Sequence, residues 1–228
     1  MITCVIPARM SSSRFPGKPL KKILGRELVL RCCDIAARSA YVDDIIVATE
    51  DREILDVVIN NGYKALLTPK YDSCTHRVAK IASLIETDYI INLQGDEPCV
   101  TPKMIDDMSK FALDGNHKCV QAVYDIEFND IHNQDVVKAV INNGQVINLT
   151  RNPEVVCDNL KGISGLYFYD KQTIVNFFDY DLGLVTAWKG LDTFGFIGAV
   201  PVIPFTLPHR THGVDRPYDI IEVEEKLS

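Results

Sequence analysis

The stretch "ITCVIPARMSSSRFPGKPL", Ile2 to Leu20, joins a short β-type run to a turn that carries Arg9, Arg14 and Lys18 among serines, glycine and prolines. An apolar, β-branched run bounded by turn residues reads as a buried strand. The same unit recurs downstream. "LVLRCCDIAARS" places Leu28, Leu30, Cys33, Ile35 and Ala36 at helical spacing, "DIIVATE" is a second strand, and "DREILDVVINNG" is a helix stopped by Asn61-Gly62. "KALLT", the helix "THRVAKIASLIE", the strand "DYIINLQ" and the helix "PKMIDDMSKFALD", with Pro102 in its first turn, continue the alternation. Strand and helix in strict succession predict a mainly parallel sheet with helices on both faces.

After Gly115 the rhythm changes. "CVQAVYDI", "DVVKAVINNGQVINLTR" and "ISGLYFYD" are β-type, and Asn143-Gly144 is a hairpin signal. These segments predict a β-rich arm over about residues 118–168, within a single domain spanning 1–228. A helix at "KQTIVNFFDYD", a strand near "AVPVIPF" and a last helix at "PYDIIEVEEKLS" follow.

Composition narrows the function. The 228 residues are 46 % apolar and 24 % charged, the balance of an ordinary globular protein. Acidic residues number 31 against 24 lysines and arginines, which argues against a general nucleic-acid binder, so any polyanion is expected to be bound locally. No apolar run is long enough to cross a bilayer and no secretory pattern opens the sequence, so the expected location is the cytoplasm. The seven cysteines lack Cys-x-x-Cys spacing and are expected to be reduced thiols rather than a disulfide framework or zinc ribbon.

In an open α/β sheet, ligands bind beyond the carboxyl ends of the strands, where residues 8–18 follow the first one. Backbone N–H groups and serine hydroxyls there can meet phosphate oxygens, while Arg9, Arg14 and Lys18 neutralise several negative charges together. The loop is neither a Walker A sequence nor a dinucleotide fingerprint. A plain exposed polar loop remains the alternative on composition alone. "DYIINLQGDEPCV" ends a strand in Asp96 and Glu97, beside Gly95, which would leave room for a ligand; such carboxylates suit a hard cation such as Mg²⁺. "THGVDRPYD" repeats the theme with Gly213 and Asp215. Each acidic turn by itself is equally readable as a solvated turn.

Together "VIPARMSSSRFPGKPL", "IIVATEDREI", "NLQGDEP", "VVKAVINNGQVINLTRNP" and "HGVDRPYDI" resemble the cytidylyltransferases that activate acidic sugars, most closely the 3-deoxy-manno-octulosonate (Kdo) cytidylyltransferase family. The most specific motif, A-R-x-x-S-x-R-x-P-G-K-P-L, is satisfied from Ala8 to Leu20. The resemblance implies a Rossmann-like nucleotidyltransferase fold, that of the nucleotide-diphospho-sugar transferases. It also implies a reaction of CTP with a sugar acid to give a CMP-sugar and pyrophosphate, and a homodimer formed through the β-rich arm. Residue by residue it implies nucleotide contacts from Ala8, Arg9, Ser12, Arg14, Lys18, Thr68, Ser73, Arg77 and Gln94. It makes Arg14, Lys18 and Asp96 catalytic, gives Mg²⁺ to Asp96 and Asp215, and gives the acceptor to Arg151 and Tyr167.

This chain departs from the family pattern in three places. "TPKYDSCTHR" is a residue shorter than the family's T-S-x-x-H-x-S-G-T-[DE]-R, with Cys74 for glycine and His76 for the acid. Ile163 stands where the family has a histidine, and Lys189-Gly190 where it has Glu-Gln. The expected acceptor is therefore anionic but open among Kdo, another sugar acid and a phosphonate. A non-catalytic nucleotide-binding scaffold is the alternative from another class.

Overall fold

The computed structural model describes residues 1–71, 73–153, 159–180 and 191–228. Strand β1 (Ile2–Ala8) is buried along its whole length. Its alternating side chains feed two cores, with Cys4 and Ile6 on one face and Val5 on the other. Beyond the loop, β2 (Lys22–Ile23) and β3 (Arg26–Glu27) form a small hairpin whose turn sets Leu24 and Gly25 at positive φ, 46° and 80°. Two-residue strands carry no hydrophobic period, so the sequence reading missed this hairpin.

Helix α1 (Leu28–Ala36), β4 (Asp44–Thr49), α2 (Arg52–Asn60), β5 (Lys64–Leu67), α3 (Cys74–Ala82), β6 (Tyr89–Leu93) and α4 (Pro102–Asp114) follow as expected. β4 and β6 flank β1, and β5 lies outside β4, all parallel. Residues of α1, α2 and α4 share one core, and those of α3 pack in the other. Thr101 caps α4 by accepting from Met104 N–H at 3.3 Å.

The remaining elements are β7 (Cys119–Asp125), β8 (Lys138–Asn142), β9 (Gln145–Thr150), β10 (Leu160–Asp170), α5 (Lys171–Val175), α6 (Phe177–Tyr180), β11 (Ile203–Thr206) and α7 (Asp219–Leu227). The main sheet runs β11-β7-β10-β6-β1-β4-β5, with β10 antiparallel to both its neighbours. Of the segment expected as an arm, β7 and β10 thus lie inside this sheet. The β8–β9 hairpin extends from it, paired to Leu160–Gly162 of β10, and turns at Asn143 and Gly144 with φ 49° and 73°.

One irregularity positions the site. The β10–β7 register shifts between Ile163 and Tyr167, and this bulge carries Ser164 and Gly165 to the carboxyl end of β6, where Gln94 N–H donates to Gly165 O at 2.8 Å.

Candidate active site

A cleft of about 750 Å³ opens over the carboxyl ends of β1 and β6. The loop after β1 forms one wall. It is folded back on itself by Gly17 at φ 73°, whose N–H donates to Met10 O at 2.9 Å, and is tied to the sheet by Met10 N–H donating to Asp51 Oδ2 at 2.7 Å. Ala8, Arg9, Ser12, Arg14 and Lys18 all line the cleft. Lys18 begins a 3-10 turn with buried Pro19 behind it.

Carboxylates from the turn after β6 and from two other loops meet these cations directly. Lys18 Nζ donates to Asp96 Oδ2 at 2.5 Å and to Val214 O at 2.8 Å, and lies 3.7 Å from Asp215 Oδ1. Arg14 donates to Asp215 at 2.6 Å and to Asp135 at 2.9 Å. Burial works against the Lys18 ammonium, but the adjacent Asp96 and Asp215 outweigh it and raise its pKa. Burial, then the charge of Asp96, raises the pKa of Asp215 despite Lys18 and Arg14. The two acidic turns are stapled together by Val214 N–H donating to Asp96 O at 2.8 Å.

Two expectations for this turn need correction. The space a Gly95 side chain would take is filled by the protein, because a β-carbon there would sit 2.9 Å from Pro7 O. Gly95 serves the close approach of β1 and β6, not that of a ligand. Nor do Asp96 and Glu97 act as a pair. Glu97 turns inward, accepts from Gly165 N–H at 2.8 Å, and has its pKa pushed up to about 7 by burial and by Asp96. Asp215, distant in sequence, is the second carboxylate on Lys18.

Ser73, Arg77, Gln94, Arg151 and Tyr167 also line the cleft, whereas Thr68 does not; its N–H is held by Thr49 O at 2.8 Å. Ser73 caps α3, accepting from His76 N–H at 3.2 Å, and His76 packs among Tyr71, Phe177 and Phe178. Arg77 is wholly buried, with Nη2 on Glu50 at 3.1 Å and with Nε and Nη1 lacking acceptors among the described residues. A buried guanidinium with open donors at a cleft wall suits an oxygen-rich ligand. Arg151 Nη1 donates to Gln134 O at 3.0 Å and Asp135 O at 3.4 Å. Ile163 lines the cleft; Lys189 and Gly190 lie outside the described residues. Of the cysteines, Cys4, Cys32, Cys33, Cys74, Cys99 and Cys119 are free, and Cys157 lies outside the described residues.

Sequence reading overlooked three groups here. Asp135 bridges Arg14 and Arg216, Lys138 is a fully buried lysine behind it, and half-buried Asp192 accepts from Thr75 N–H at 2.8 Å at the start of α3. No local motif marks them, because each acquires its partner from a distant segment.

The donor set fits Mg²⁺. No group of three or more His, Cys, Asp or Glu suited to a metal occurs among the described residues, so Asp96 and Asp215 would hold the ion with oxygens from elsewhere. Mg²⁺ is ordinarily bound by one or two carboxylates plus substrate phosphates and water.

Among known proteins, the family described as Cytidylyltransferase matches residues 3–159. The 3-deoxy-manno-octulosonate cytidylyltransferase of Thermodesulfovibrio yellowstonii is 31 % identical, with 99 % of this chain and 98 % of the relative covered. The enzyme of the same name from Syntrophobacter fumaroxidans is 34 % identical, with 100 % and 97 % covered. A solved structure of CMP:2-keto-3-deoxy-manno-octonic acid synthetase complexed with CTP superposes with a TM-score of 0.89 at 27 % identity, covering 99 % of this chain and 98 % of that one. The fold is accordingly that of the nucleotide-diphospho-sugar transferases. Similarity along the whole chain, together with the cation loop facing Asp96 and Asp215, leaves one assignment: the chain belongs to the cytidylyltransferase family.

Proposed function

We propose that this protein transfers CMP from CTP to an acidic sugar of the Kdo type, releasing pyrophosphate. The observation that carries the reading is the meeting of Arg14 and Lys18 with Asp96 and Asp215 over the ends of β1 and β6. The names of the full-length relatives, and the CTP of the similar solved structure, supply the substrate classes.

The acceptor hydroxyl attacks the α-phosphorus in line with the departing pyrophosphate. Charge builds on the non-bridging and leaving oxygens, so catalysis is mainly positioning and electrostatic stabilisation. Lys18 and Arg14 bind the β- and γ-phosphates and stabilise the leaving group, with Arg9, Ser12 and the backbone of Ala8 around them. Ser73, Arg77 and Gln94 hold the nucleoside side; Thr68, outside the cleft, supports that region through Thr49. Asp96 and Asp215 would hold Mg²⁺, which when bound would neutralise phosphate charge and polarise the α-phosphoryl group. Tyr167 and the remaining donors of Arg151 face the acceptor, whose anionic group suits an arginine. Glu97, accepting from Gly165 N–H, ties the bulge of β10 to the β6 turn. We place the enzyme in the cytoplasm, where CTP is made available, as a homodimer through the β8–β9 region; no helix among the described residues is long and apolar enough to cross a membrane.

The test is pyrophosphate release from CTP, Mg²⁺ and a panel of Kdo, other sugar acids and phosphonates. Release with a sugar acid is expected, and Asp96→Asn should stay folded while losing about 10²–10³-fold in turnover, the usual effect of removing one transition-state contact. CTP binding without turnover on any acceptor would favour the scaffold reading, and a near-normal Asp96→Asn rate would sink the metal role.

A further inference from the structure

Asp135 is a carboxylate that the proposed chemistry does not use, yet it is held in place with care. Its Oδ1 accepts from Arg14 Nη1 at 2.9 Å, and Arg216 donates to it through Nε at 3.2 Å and Nη2 at 3.3 Å. The segment beneath it is braced from two sides. Fully buried Lys138 donates to Asn133 O at 2.5 Å and Arg151 O at 2.8 Å, while Arg151 donates to the carbonyls of Gln134 and Asp135. Asn133 Oδ1 then accepts from Asp135 N–H at 2.9 Å.

Burying a lysine ammonium costs free energy unless its donors are used, and here they go to backbone carbonyls on either side of one short segment. What that segment presents to the cleft is a single negative charge on two arginines. We propose that Asp135 is an internal anion that occupies Arg14 and Arg216 when the cleft is empty and is exchanged for the oxygens of the polyphosphate when nucleotide or pyrophosphate binds. This rests on the reading of the cleft as a CTP site. In that exchange Arg14 leaves one carboxylate for phosphate oxygens, and the returning carboxylate competes with pyrophosphate for the same guanidinium groups. Asp135 thereby weakens product binding and favours release. A carboxylate whose role was only to orient Arg14 would have the opposite effect, because its removal would loosen the arginine and weaken anion binding.

The experiment is calorimetric titration of inorganic pyrophosphate at fixed excess Mg²⁺ into the parent protein, Asp135→Asn and Glu222→Gln. Glu222 also lines the cleft, but its partner is His212, so its variant removes a charge without touching either arginine. Half-exposed ion pairs are individually weak, so Asp135→Asn should bind pyrophosphate about three- to tenfold more tightly, with Glu222→Gln within about twofold of the parent. Unchanged or weaker binding by Asp135→Asn overturns the exchange, as does equal tightening in both variants, which would mean a general field effect. A parent protein that binds neither CTP nor pyrophosphate would overturn the nucleotide site itself, a result separate from either of these.

Discussion

Gly95→Ala places a single methyl group between the two strands that carry the site. The added carbon would meet Pro7 O at 2.9 Å, Ile6 Cγ2 at 3.4 Å and Ala8 Cβ at 3.5 Å. The nearest atom belongs to the backbone, so no rotamer change relieves the clash. Restoring ordinary separation, about 3.5 Å between heavy atoms, parts the ends of β1 and β6 by about half an ångström. It also strains the hydrogen bond from Gly95 N–H to Pro7 O, already 3.3 Å long. Overpacking of this kind costs about 1–3 kcal/mol. The greater effect falls on turnover, because the shift separates Asp96 on one strand end from Lys18 and Arg14 on the loop of the other. A displacement of that size is expected to slow the reaction about 10–100-fold. Urea unfolding followed by circular dichroism measures the first quantity, and pyrophosphate release at saturating CTP and acceptor measures the second. Stability within about 0.5 kcal/mol of the parent together with an unaltered rate would refute the claim that this contact sets the site's geometry.

Two further variants test the scaffold, one at α1 away from the cleft and one beneath its wall. Asp34 receives both Arg26 Nε and Nη2 at 2.9 Å and the Tyr63 hydroxyl at 2.6 Å; burial pushes its pKa up, but Arg26 and Tyr63 together hold it below the ordinary 3.8. A lowered folded-state pKa means stability that is present above the unfolded value and lost as the pH falls through it and below. At pH 7 Asp34→Asn should cost about 0.5–1.5 kcal/mol, limited by solvent screening. Denaturation midpoints of variant and parent should converge in acid; a gap that persists there would refute the assignment. Lys138→Met takes the ammonium from the carbonyls of Arg151 and of Asn133, the latter keeping only Val136 N–H at 3.2 Å, and should destabilise by about 1–3 kcal/mol in urea unfolding. An unchanged midpoint would show that the buried ammonium braces nothing.

Much of the architecture was legible because it rests on local periodicity. β1, β4 and β6 were readable as apolar runs, and α1, α2 and α4 as helical spacing with a glycine stop at Gly62 and Pro102 in a first turn. The cation loop was legible as well, since Arg9, Arg14 and Lys18 follow a strand end and therefore had to lie at the ligand-binding edge of the sheet. The placing of β10 was less so. Its sequence shows a strand, but its insertion antiparallel between β6 and β7 depends on pairings such as Leu166 with Leu93 and Lys161 with Asp125, far beyond any local pattern, and the bulge that lifts Gly165 to the site lies in the pairing with β7.

The amino-acid order therefore determined which segments form strands and helices and which loop concentrates positive charge, because those properties depend on residues within a few positions of one another. Only the tertiary structure decided how the charges are partnered. Asp96 and Glu97 are chain neighbours, yet the turn sends one to Lys18 and the other into the protein against Gly165. Asp135 and Asp215 reach the same arginine from loops eighty residues apart in sequence. A side chain's direction at a strand end is set by the backbone turn, and its partner by which distant loop is packed there; neither is encoded in a local pattern.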